Sequence, residues 1–117
     1  MRFYKKIIDE STRTDKKQVT EICQVIMKNC EDNQISFKSN DSEYVFDHHI
    51  VILAERIIDD MQIDEKEYDD HEIESEIKNL TNKIMDNTEK ECMVKINPFE
   101  RFLTSTHIQV NRQGGVK

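Results

Sequence analysis

Glycine occurs twice in this sequence of 117 residues, proline once and tryptophan never, and Ala54 is its one alanine. Loops that cradle phosphate need several glycines at a turn, and both glycines here, Gly114 and Gly115, stand at the end of the chain, which argues against nucleotide-dependent catalysis. The three cysteines, Cys23, Cys30 and Cys92, are odd in number and form no Cys-x-x-Cys motif, so reduced thiols in a reducing compartment fit better than a disulfide framework. No two of His48, His49, His71 and His107 have the three- or four-residue spacing that aims two rings at one ion, and no metal or other cofactor is expected. No apolar run approaches the length of a membrane span, and Met1 to Ser11 is too short and too broken by Arg2, Lys5 and Lys6 for a signal-peptide core; the expectation is a cytoplasmic protein with no membrane partner. The swing from Gly, Ala and Pro towards Ile, Lys and Asn fits an AT-rich coding sequence, of the kind shared by many bacteria, phages, large DNA viruses and protists.

What is present is charge and periodicity. Apolar residues make up 36% of the chain and charged ones 35%, a polar balance for a globular domain, so folding rests on how the apolar residues are spaced. Val19, Ile22, Cys23, Ile26, Met27 and Cys30 recur at three- and four-residue intervals and predict a helix over 15–30 with Thr14 as its cap. Phe3, Tyr4, Ile7 and Ile8 suit a short helix somewhat better than a strand. Ile35 and Phe37, then Ser39 to Ser42, then Glu43 to Phe46 read as a β-hairpin. Asp47 reads as the cap of a helix carrying Ile50, Leu53, Ala54, Ile57, Ile58 and Met61. A third helix is predicted over about 65–87, on which Ile73, Ile77, Leu80 and Ile84 make a narrow seam. After it the period turns to two, in Cys92, Val94 and Ile96 and again in Thr104, Thr106, Ile108 and Val110, which predicts a second hairpin. The fold expected is α+β: two to three main helices on a small antiparallel sheet made from two β-hairpins, in one domain over residues 1–112 with a flexible tail over 113–117.

The acidity is local. Between Asp59 and Glu76 ten acidic residues face one base, Lys66, for a charge of −9 in a chain whose total is −7. A carboxylate or two at a helix start favours the dipole, and the rest repel one another, so a solvated surface and a binding surface weigh about equally. The spacing lacks the ligand positions and central glycine of an EF-hand loop, and the paired aspartates read as exposed rather than as acid–base groups.

The leading expectation is a non-enzymatic acidic interaction protein that binds and neutralises a protein partner with a basic surface, as inhibitors, antitoxins, immunity proteins and anti-defence proteins of phages and viruses do. Its binding residues would be Asp64, Glu65, Glu67, Asp69, Asp70, Glu72 and Glu76, and Ile73, Ile77, Leu80 and Ile84 would either pack one side of the helix on the domain or join a homodimer. Two alternatives compete with it. One is a homodimeric nucleic-acid-binding regulator using Arg2, Lys5, Lys6, Arg13, Lys16 and Lys17, which the net acidity disfavours. The other is a small-molecule-binding protein or small enzyme with a pocket between the hairpins and helices, near Tyr44, Cys92, Arg101 and His107.

Overall fold

The computed structural model describes residues 2–115, with side chains through residue 111, as five helices: α1 (Tyr4–Asp9), α2 (Lys16–Asp32), α3 (Asn40–Ile58), α4 (Ser75–Cys92) and α5 (Pro98–Gly115). The spacing read in α2 is realised in full, since Val19, Ile22, Cys23, Ile26, Met27 and Cys30 are all buried. Its cap position is Asp15 rather than Thr14, and no side chain bonds the open amides there. α2 packs on α1, α3 and α4, while α5 closes the other side against α3 and α4. The hydrophobic core cluster draws Ile26 from α2, Phe46, Ile50 and Leu53 from α3, Ile77, Ile84 and Met85 from α4 and Ile108 from α5.

The α+β expectation is overturned: the described residues hold no strand, and both hairpins are replaced by helix. The first hairpin fails at Ser39 to Ser42, which starts a helix rather than turning a chain. The Ser39 hydroxyl accepts the Ser42 N–H at 3.1 Å and the Ser42 hydroxyl accepts the Ser39 N–H at 3.1 Å, a reciprocal capping box. Asp41 and Glu43 then sit in the first turn, where the helix dipole favours them. Phe46, Ile50, Leu53 and Ala54 form the buried stripe, and Tyr44 and Val45, read as strand residues, face outward. Asp47 is therefore no cap of its own helix. It is fully buried within α3 and its Oδ2 accepts the Phe3 N–H at 2.7 Å, closing the start of α1 instead.

The second hairpin is replaced by the end of α4, a short connection and α5. Pro98 occupies the first helical position, where its missing N–H costs nothing, and the Asn97 Oδ1 accepts the Glu100 N–H at 2.9 Å. The alternating Thr104, Thr106, Ile108 and Val110 sit on a helix whose buried stripe is Glu100, Thr104 and Ile108, at intervals of four. Thr104 and Thr106 donate their hydroxyls to the carbonyls of Glu100 and Leu103, at 3.0 and 2.6 Å, which accommodates them in a helix. α5 runs on to Gly115, so residues 113–115 of the expected tail are helical, and 116–117 lie outside the described residues.

Helix three is also displaced. α4 starts at Ser75 and not near residue 65, because the carboxylates from Asp64 to Glu72 offer no apolar period to bury. The scarcity of glycine leaves a mark at the helix ends, where Gln34, Asp60 and Met93 take left-handed φ of 60°, 56° and 57°. Each is a position that glycine fills without a Cβ clash.

Candidate functional site

The connection between α3 and α4 carries the acidic segment and lies across α4 and α5. It is held down at several points. Ile63 donates its N–H to Glu100 Oε2 at 2.8 Å, Gln62 Nε2 donates to the Lys95 carbonyl at 2.6 Å, and Asn97 N–H donates to Gln62 Oε1 at 3.0 Å. At the far end Gln109 bonds both the Glu72 carbonyl, at 2.6 Å, and the Glu74 N–H, at 2.7 Å. Between them Tyr68 stacks on Phe102 with ring centres 4.8 Å apart and meets Phe99 edge-on at 5.2 Å. The carboxylates therefore project from an anchored backbone, on a connection rather than on the face of a helix.

The structure divides the sequence-derived binding residues by environment. Asp64, Glu65, Glu67, Asp69 and Glu72 are exposed on the connection, and Glu76 is exposed in the first turn of α4. Asp64 pairs with Lys66 at 2.9 Å, and Asp69 meets His71 at 2.5 Å, whose backbone and ring N–H groups hold the Asp69 carboxyl below its ordinary range. Glu65, Glu67 and Glu72 have no ion pair among the described residues. Asp70 is half-buried and pairs with Lys78 of α4 at 3.2 Å. Asp59, at the start of the acidic run, is held by both terminal nitrogens of the Arg13 guanidinium at 2.9 and 2.8 Å, which lowers its pKa. The seam lies largely inside the single chain: Ile77 and Ile84 are fully buried, Ile73 nearly so and Leu80 partly.

Beside the anchored connection, between α4 and α5, lies an open cleft of about 460 Å³. Tyr68, Phe102, Ile96 and Pro98 give it apolar walls, and Asp70, Lys78, Arg101, Thr81 and Ser105 give it polar ones. That volume lies in the range of sites that take a small molecule or a protruding side chain. Arg101 is committed before anything enters. Its Nη1 reaches Asp86 at 2.8 Å and Asn82 at 3.0 Å, its Nη2 lies 3.1 Å from Glu89, and its Nε donates to the Ile96 carbonyl at 3.1 Å. Compared with protein-family models, with curated proteins and with solved structures, the chain matches none.

The residues of the competing readings are scattered. Of the basic amino-terminal stretch, Arg2 binds Glu43 and Asn40, Arg13 binds Asp15 and Asp59, and the Lys16 ammonium donates to the Asp9 carbonyl at 2.9 Å. Arg101 lines the cleft described, His107 lines a smaller one near Val45 and Val110, Tyr44 is exposed and Cys92 ends α4. Cys23 and Cys30 are buried and their thiols are pushed up to about 12, chiefly by burial, so they act as core residues. Cys92 is half-buried and its thiol is raised too. No group of three metal-ligating side chains occurs among the described residues, and none of their helices is long and apolar enough to cross a membrane.

The aromatic anchor and the cleft escaped the sequence reading. The signal was Phe99 and Phe102, three residues apart and so on one face of a helix, but the neighbouring β-branched run drew that segment into the connection of a hairpin.

Proposed function

We propose that this chain is a non-enzymatic interaction protein that binds a protein partner with a basic surface, through the acidic connection over 59–74, and neutralises it by occupying that surface. The observation that carries this reading is the anchoring of the connection. Tyr68 on Phe102, and Gln109 on both the Glu72 carbonyl and the Glu74 N–H, hold a dense row of carboxylates in place although the row gains nothing from its own repulsion. A preordered charged surface loses less entropy on docking than a loose loop does. The commitment of Arg2 and Arg13 to carboxylates of this chain removes two cations that a nucleic-acid surface would need, and favours a protein over DNA as the partner.

Fluorescence anisotropy with a labelled arginine-rich peptide and with labelled duplex DNA, each across a salt series, tests the reading. The peptide should bind and the DNA should not. Changing Asp69, Asp70, Glu72 and Glu76 to Asn or Gln should abolish peptide binding. The same charge change at the exposed Glu21, Glu31, Asp32 and Glu91 of α2 and α4 should largely spare it. Equal losses in the two variants would mean that net charge alone is felt, and the surface would have to be sought elsewhere.

A further inference from the structure

The floor of the cleft between α4 and α5 is made by Thr81 and Ser105, both almost fully buried. Their hydroxyl protons are spent on helix carbonyls, Thr81 on Ile77 at 2.8 Å and Ser105 on Phe102 at 2.6 Å. What the two oxygens still offer to the cleft is lone pairs. The wall adds the stacked aromatic rings of Tyr68 and Phe102, and the rim adds the Asp70 carboxylate. Lone pairs, an aromatic wall and a carboxylate together suit a planar cation that donates several hydrogen bonds. Of the two cations already present, Arg101 is neutralised by Asp86 and Glu89, and Lys78 reaches Asp70 from a half-exposed position.

We propose that this cleft is a receptor for one arginine side chain of the basic partner, whose guanidinium lies on the Tyr68–Phe102 wall, takes Asp70 over from Lys78 and donates to Thr81 and Ser105. The inference rests on the reading that the partner is basic and assigns to the cleft the residue that fixes register. An arginine fits better than a lysine because its flat fork can meet an aromatic face and a carboxylate at once, whereas an ammonium is a compact, strongly hydrated point charge.

The probe is arginine blocked at both ends, titrated into the full chain and followed by amide and side-chain NMR shifts, with blocked citrulline as the neutral isostere and blocked lysine as the second cation. Saturable shifts centred on Tyr68, Thr81, Phe102 and Ser105 are expected with arginine, weaker ones with lysine and none with citrulline. Tyr68→Leu should weaken arginine binding on the order of tenfold by removing one ring of the aromatic wall. Lys78→Met should strengthen it by freeing Asp70, while Lys83→Met, the same charge change at an exposed position of α4, should do much less. Thr81→Val and Ser105→Ala, checked for unchanged helicity and melting, should weaken it without touching the rim. Equal shifts from citrulline, or weaker binding by Lys78→Met, would overturn the proposal. If the arginine-rich peptide binds and leaves Thr81, Phe102 and Ser105 unshifted, the cleft assignment fails and the acidic surface stands. If neither peptide nor blocked arginine binds, both fail.

Discussion

Arg56 of α3 and Glu100 of α5 meet through two parallel N–H···O contacts of 2.7 Å, with the Glu100 carboxylate fully buried. The same carboxylate accepts the Ile63 N–H at 2.8 Å, so one ion pair joins two helices to the first anchor of the acidic connection. A buried charge stripped of its partner costs more than the pair was worth, because its desolvation is no longer offset. Arg56→Ala should therefore cost about 3–5 kcal/mol in a urea unfolding series, and the double change Arg56→Met with Glu100→Leu should cost less than Arg56→Ala alone. A single variant within about 0.5 kcal/mol of the parent would show that water reaches Glu100 and carries its charge.

At Met93 a substitution should stabilise the fold. Its φ of 57° ends α4 in the left-handed region, and the residue is 89% exposed, so it packs against little. A non-glycine residue there costs about 1–2 kcal/mol through its Cβ, against about 0.4–1 kcal/mol for the extra freedom glycine brings to the unfolded chain. Met93→Gly should raise stability by about 0.5–1 kcal/mol, seen as a higher urea midpoint at unchanged slope. A loss of stability would mean that the freedom glycine brings to the unfolded chain outweighs the Cβ clash at this position.

The core offers a third test. Leu53 is fully buried among the side chains of the central cluster, whereas Ile57, expected beside it, is only partly buried. Leu53→Ala should cost about 2–5 kcal/mol, the lost transfer energy plus the cavity left behind, and Ile57→Val should cost less. Wild-type-like melting of Leu53→Ala would place that face of α3 against solvent.

Why α2 was legible and α5 was not follows from which residues each helix buries. α2 buries a stripe of Val, Ile, Met and Cys, so its period stands out against a polar background. α5 buries Glu100, Thr104, Ser105, Gln109 and Asn111 along with Ile108, so the period of its burial is written in polar residues and no hydrophobic pattern can show it. What remained visible was the alternation of Thr, Ile and Val, which fits a strand by propensity and was overridden by packing. Ser39 to Ser42 misled for a related reason: the residues that favour turns are those that cap helices, since both uses satisfy open backbone amides. The candidate site was half legible. Charge density marked the connection from sequence alone, but the cleft needs Tyr68, Phe102, Thr81 and Ser105 from three segments that only the tertiary fold brings together.

His49 of α3 and His107 of α5 stack with ring centres 4.5 Å apart, and the His49 Nε2 lies 2.8 Å from the Thr104 hydroxyl. Burial, then the positive neighbours His107, Arg56 and His48, bring the His49 imidazole down from 6.5 to about 3, and burial alone lowers His107. Between those two values of pH the unfolded chain takes a proton at residue 49 that the folded chain refuses, so stability is full above about 6.5 and falls as the pH drops towards about 3. For one such proton the limiting slope is about 1.4 kcal/mol per pH unit. Asp47 acts in the opposite sense. Burial raises its carboxyl, so folding there takes up a proton and acid partly offsets the loss. Comparing wild type with His49→Gln, which can still bond Thr104, removes that common term. From about pH 7 to about pH 4.5, urea unfolding should show wild type losing distinctly more stability than the variant. His107→Gln should shallow the wild-type slope as well, by removing both its own titration and the nearest positive neighbour of His49. Parallel stability curves for all three proteins would show that the pair titrates as it does in the unfolded chain, and that the contact between α3 and α5 opens to water well before the domain unfolds.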